Sequence, residues 1–110
     1  MVITINLIKE NTMITNDELD IKLNNSPAER VTKEYMEARI KEVTFMPMRE
    51  TITICSIELD NGFSVRGESA CVKKENYNKE IGEKISYDQA FNKLWAFFGF
   101  LLAENGTLVK

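Results

Sequence analysis

The spacing of hydrophobic and polar positions changes several times along the chain, and each change marks an element. Over residues 2–9 Ile3, Ile5 and Leu7 share one face of a β-branched run, which predicts a strand. Residues 10–30 are polar, rich in Asn, Asp and Glu, with Pro27 near their end. They read as a linking arm with one short element around Glu18–Leu23. Thr32 is placed as a helix cap, Glu34 lies where the helix dipole favours an acid, and Val31 and Met36 have the spacing of a hydrophobic staple. A helix is therefore expected over about 33–43, with Met36, Ile40 and Val43 inward and Pro47 barring its continuation.

Thr51–Leu59 and Phe63–Val72 are strand-like and flank Asp60-Asn61-Gly62. Asn-Gly between such runs predicts a β-hairpin, because both residues accept the positive φ of a two-residue turn. That turn sets Leu59 near Ser64, Ile54 near Ser69 and Cys55 near Glu68. Cys55 and Cys71 then point to opposite faces, which forbids a disulfide between them. From Asn78 to Glu104 a stripe of Ile81, Ile85, Phe91, Leu94, Trp95, Phe98, Leu101 and Leu102 recurs at helical spacing. Ser86-Tyr87-Asp88-Gln89 resembles a capping box, where the helix is expected to break or restart, and Asn105-Gly106 ends it. The expected architecture is a single α+β domain over 1–110. A three-stranded antiparallel sheet, built on the hairpin (about 51–72), packs against a helix (about 33–43) and a long C-terminal helix (about 79–104).

Composition adds limits. An apolar share of 44% with 28% charged residues is that of a folded chain. Acidic residues outnumber Lys and Arg by 17 to 14, a net charge of −3, which argues against direct nucleic-acid binding through the phosphate backbone. No apolar run approaches the length of a membrane span, and the start lacks a secretory pattern, so a cytoplasmic protein is expected. The chain has two cysteines and no histidine. The common nucleophile–imidazole arrangements and zinc sites are therefore missing, both thiols read as small buried hydrophobes, and no metal or cofactor is expected.

Several short blocks, taken in order, resemble a known family. They are Val31-Thr32, Thr53-Ile54-Cys55, Asp60-Asn61-Gly62-Phe63, Val65-Arg66-Gly67-Glu68-Ser69-Ala70, Asn76-Tyr77-Asn78-Lys79-Glu80-Ile81-Gly82, and Ala90 with Lys93-Leu94-Trp95. A small residue at Ser86 and the ending Phe98-Gly99-Phe100-Leu101 also agree. Over about 28–103 the chain resembles the gene-product 49/66 proteins of tailed phages, with residues 1–27 outside the likeness. The resemblance implies a non-essential phage accessory protein expressed in the infected bacterium. It carries over no catalytic residues. Accessory proteins of this kind often disable host defences or redirect host machinery.

Three groups of residues are candidates for function. Arg66, Ser69, Lys73, Lys74, Asn76 and Tyr77 gather around the start of the long helix, where cations, free backbone donors and an aromatic ring suit a nucleotide-type ligand. The plain alternative is a capped helix start with solvated lysines. Phe97 and Phe100 fall off the core stripe, and burying two phenylalanines is worth about 3–6 kcal/mol. They are expected to form a homodimer interface, the rival being the N-terminal arm folded over them. Glu58, Asp60 and Glu68 lie near the hairpin as carboxylates, but no nucleophile or metal-ligand spacing stands beside them. A non-enzymatic, oligomeric phage accessory binder in the host cytoplasm is therefore expected, countering host defence by sequestering a nucleotide-type signal. The alternatives are a protein–protein inhibitor of a host enzyme, using the acidic arm Asn16–Asn25 and a free strand edge, and a phage structural or DNA-metabolism adaptor.

Overall fold

The computed structural model describes residues 13–109, and the strand expected at 2–9 lies outside them. The elements are α1 (Asn16–Asn24), α2 (Lys33–Ala38), β1 (Ile40–Met48), β2 (Ile52–Leu59), β3 (Ser64–Ala70), a 3₁₀ turn (Lys74–Asn76) and α3 (Lys79–Asn105). The strands form one antiparallel sheet in the order β1-β2-β3. The expected α+β class, with a three-stranded antiparallel sheet and a long C-terminal helix, is what the chain adopts.

Helix α1 is the short element within the polar arm. Thr15 closes a capping box with Glu18, its hydroxyl accepting from the Glu18 amide at 3.1 Å while the Glu18 carboxylate accepts from the Thr15 amide at 2.8 Å. All residues of α1 are exposed. Thr32 caps α2 as expected, accepting from the Tyr35 amide at 3.0 Å, and Met36 is fully buried.

The expectation of a helix through Val43 fails. α2 stops at Ala38, and Ile40–Met48 is a strand that completes the sheet. The run Val43-Thr44-Phe45 is β-branched and aromatic, and it fits a pleated surface better than a second helical turn. Pro47 lies inside β1 and breaks nothing there. The ladder to β2 uses the backbone of Thr44 and Met46, so Val43, Phe45 and Pro47 turn their backbone groups to the outer edge, where proline's missing N–H costs no internal bond. A bulge between Ile40 and Glu42 starts the strand.

The hairpin forms with a register one residue away from the one expected. The Leu59 amide donates to Phe63 O at 2.8 Å and the Gly62 amide to Leu59 O at 3.0 Å, so Asp60, Asn61 and Gly62 make a three-residue loop. Gly62, at φ +92°, takes the left-handed position of that loop, a common alternative to the two-residue turn. Ile54 consequently faces Glu68, and Cys55 faces Gly67. The slip moves Cys71 to the same face as Cys55, which corrects the opposite-face expectation. Both thiols are nevertheless free, Cys71 standing opposite Thr51, four residues along the strand from Cys55.

Thr53, Cys55, Ile57, Leu59 and Val65 face α3 and are buried. The last four close a core with Met36, Ala90, Phe91, Leu94 and Phe98. α3 is continuous, because Ser86 is fully buried and donates to Glu83 O at 3.1 Å, leaving no hydroxyl to restart a helix. Its inner line in the first half is Gly82, Ser86 and Ala90, so Ile81 and Ile85 are exposed, contrary to the predicted stripe. Trp95, 41% exposed, is a further departure. The small residues let the helix backbone lie almost on β3: a Cβ on Gly67 would meet the backbone of Ser86 and Ala90.

Candidate functional site

α3 approaches β2 and β3 so closely that β1 is left outside its cover. The result is a groove of about 380 Å³ on the α3 side of the sheet, between β1 and the start of α3. Phe45 and Pro47 come from β1, Thr53 from β2, Tyr77 from the segment before α3, and Lys79 and Glu83 from its first turns. The sequence reading missed Phe45, Pro47 and Lys79 because it treated residues 33–43 as a helix and assigned no element to residues 44–50. The alternation of Val43, Phe45 and Pro47 would have placed them on one strand face.

Local chemistry fixes the groove's floor. Asn78 caps α3, its side-chain oxygen accepting from the Ile81 amide at 3.0 Å. Tyr77 just before it is held in extended backbone, and its hydroxyl lies 3.0 Å from Thr53 Oγ1. Gly82 makes room for this pair, since a Cβ there would come within 2.7 Å of Thr53 Oγ1. The groove thus offers two aromatic rings, a hydroxyl pair, one ammonium and one carboxylate. Volumes of this size suit small ligands held by an apolar wall with a few polar contacts.

The six residues expected to form a ligand site are only partly brought together. Ser69, Asn76 and Tyr77 line a smaller cavity of about 140 Å³ with Cys71, Ile81 and Ile85, on the other side of Tyr77 from the groove. Arg66 lies elsewhere, near Glu68, Gln89 and Lys93 at the β3 edge, with one guanidinium nitrogen 2.9 Å from Ser64 Oγ. Lys74 reaches Glu50 at 3.6 Å, and Lys73 is exposed. Three residues apart on β3, Ser69 and Arg66 point to opposite faces in any register, Ser69 toward α3 and Arg66 outward. Cys71 is only partly buried and donates to Lys73 O at 3.0 Å, unlike the wholly buried Cys55.

Phe97 and Phe100 are exposed, at 50% and 69%, as the helical wheel placed them. Phe97 meets Phe63 edge-on at 4.9 Å, and both line an apolar hollow with Phe100 and Leu101. Among the described residues no helix is long and apolar enough to cross a membrane, and no cluster of three or more His, Cys, Asp or Glu has metal-site geometry.

Residues 31–105, from the turn before α2 to the last residue of α3, match the family described as Phage protein (N4 Gp49/phage Sf6 gene 66). The chain belongs to that family. This phage protein carries its groove and its main core cluster, Met36 to Phe98, inside the matched segment, while α1 precedes it. No curated protein and no solved structure matches the phage protein significantly.

Proposed function

We propose that this phage protein is a non-enzymatic accessory binder that captures a small, planar, anionic molecule of nucleotide type in the groove beneath Phe45 and Tyr77. It acts in the host cytoplasm and counters a defence signal by sequestration. The observation that carries the reading is the combination of two aromatic walls with the Lys79 ammonium at the positive end of a 27-residue helix. Aromatic faces accept a base by stacking, worth about 1–3 kcal/mol per base, and the helix start with its lysine suits a phosphate. No imidazole, activated nucleophile or metal-ligand set lies in the groove to turn the ligand over. Calorimetric titration against a panel of cyclic and ADP-ribose-type nucleotides tests it. Binding should weaken about tenfold or more in Phe45→Ala and Lys79→Ala, a loss of about 1.4 kcal/mol. No heat with any panel member at high micromolar protein overturns it.

Helix α1 favours a second reading, inhibition of a host protein. Asp17, Glu18 and Asp20 sit on it beside exposed Leu19, Ile21 and Leu23, and none of its residues is buried. An acidic helix with apolar side chains unused by its own fold suits docking into a partner's groove. Deleting residues 1–27 should abolish capture of a host protein under this reading and leave nucleotide binding intact under the first.

A further inference from the structure

The two edges of the sheet are treated differently. On β3 the outward amide of Glu68 donates to Gln89 Oε1 at 2.7 Å, and the outward carbonyl of Arg66 accepts from Lys93 Nζ at 2.6 Å. Two α3 side chains thus occupy the positions a further strand would take. Among the described residues nothing equivalent guards β1. Among the described residues, no side chain or backbone group bonds the outward backbone of Val43 or Phe45. The bulge at Ile40/Glu42 closes one end of this edge and Pro47, with no N–H to offer, the other. Between them lies a short open window, Glu42–Met46, whose side chains are exposed on both faces.

We propose that this window pairs antiparallel with the same window of a second copy of the chain, about a two-fold axis at Thr44. The occupant is argued from self-complementarity. In this register Val43 of each copy faces Phe45 of the other, a β-branched–aromatic pair. Both residues turn donors and acceptors outward, so about four backbone hydrogen bonds form across the axis. Glu42 faces Met46, Thr44 faces Thr44, and no like charges stand opposite one another. Sliding the axis by one residue sets Phe45 against Lys41 or Val43 against Pro47, and loses the match. The pairing is isologous and uses the open edge of both copies, while β3 stays guarded, so assembly stops at two. A six-stranded sheet results, with Val43 of each copy placed beside the Phe45 wall of the other's groove. The dimer stands independently of what that groove binds.

The test uses the full chain in analytical ultracentrifugation, with hydrogen exchange read at the Val43 and Phe45 amides. The wild type should sediment as a dimer at micromolar concentration, with those amides becoming protected as concentration rises. Thr44→Lys and Thr44→Glu each set like charges opposite each other across the axis, on the sheet face away from the groove. Each variant alone should be monomeric and still melt cooperatively, at a temperature that no longer rises with protein concentration, and an equimolar mixture should recover the dimer. The proposal is overturned by a wild type that stays monomeric, including one whose amides are protected, which would give the edge to residues 2–9 of the same chain. A dimer that survives both Thr44 variants overturns it too. So does a dimer lost instead in the Phe97→Glu, Phe100→Glu double variant, which would place the interface on α3.

Discussion

Arg39 grips Asp60 with a forked guanidinium: Nε lies 2.9 Å from both carboxylate oxygens and Nη2 lies 2.9 Å from Oδ1. The pair joins the end of α2 to the β2–β3 loop, and the Asp60 amide returns a bond to Arg39 O at 2.9 Å. The Arg39 side chain is 12% exposed, lies 5.4 Å from the Phe98 ring centre and donates to the Tyr35 hydroxyl at 2.9 Å. Burial pulls the guanidinium pKa down, and the bonds to Tyr35 and Asp60 outweigh it, leaving it raised. Asp60 therefore does more than start a turn. Asp60→Ala leaves a mostly buried cation without its anion, which is costly at buried sites and less so here because the aspartate is 46% exposed. A loss of about 1–3 kcal/mol is expected in urea unfolding.

The glycines of the core and of the exposed helix should respond in opposite directions. Gly67→Ala drives a methyl group into the backbone of Ser86 and Ala90, neither of which is a flexible side-chain end. Overpacking of this kind costs about 1–3 kcal/mol and here should reach the upper part of that range. Gly99 sits inside α3 with open space where its Cβ would be. Gly99→Ala removes the helix penalty of glycine and should stabilise by about 0.5–1 kcal/mol. Thermal melts of the two variants, run side by side, check both signs.

How much of this was legible in the residues depends on which period dominated. Thr32, Asn78 and Gly106 set helix ends that a one-dimensional pattern can carry, because caps are local. Val43-Thr44-Phe45 was readable as a strand and lost to the apparent helical spacing of Met36, Ile40 and Val43. The α3 stripe failed at Ile81 and Ile85 for a different reason. Their neighbours Gly82, Ser86 and Ala90 are small: Ser86 and Ala90 meet Gly67 in a close backbone approach and Gly82 lies against Thr53, contacts that hydrophobicity does not report. The candidate site suffered from both errors. Tyr77 was found, while Phe45 and Lys79 depended on a strand and a groove that appear only once β1 is in place.

Arg49, in the loop between β1 and β2, holds φ at +61°. A side chain in the left-handed region costs about 1–2 kcal/mol relative to glycine's freedom there, and glycine gives part of that back through the entropy of the unfolded chain. Arg49→Gly is expected to raise stability by about 0.5–1 kcal/mol, or a few degrees in melting temperature. A lower melting point would mean that the Arg49 side chain contributes more than its backbone conformation costs.

The two thiols separate a reactive position from an inert one, and the same burial gives the fold an alkaline limit. Cys55 is fully buried opposite Gly67, and desolvation pushes its pKa up. Cys71 is partly exposed beyond the end of β3. A maleimide or Ellman reagent should therefore modify Cys71 in the native protein within minutes and reach Cys55 only on unfolding. Because Cys55 keeps its proton longer when folded, the unfolded chain binds fewer protons once pH exceeds the ordinary thiol value of about 8.5, and stability falls from there upward. Tyr87 adds to the slope above about 10, its phenol raised by burial and then by the charges of Glu37, Cys55 and Asp88. Below pH 8 neither group contributes a slope. Cys55→Ala should lose about 1–2 kcal/mol at neutral pH from the space it opens, and should show a shallower decline between pH 8.5 and 10 than the wild type. Urea midpoints taken across pH 7–10.5 measure both effects, and an unchanged slope in Cys55→Ala would remove the buried thiol as the cause.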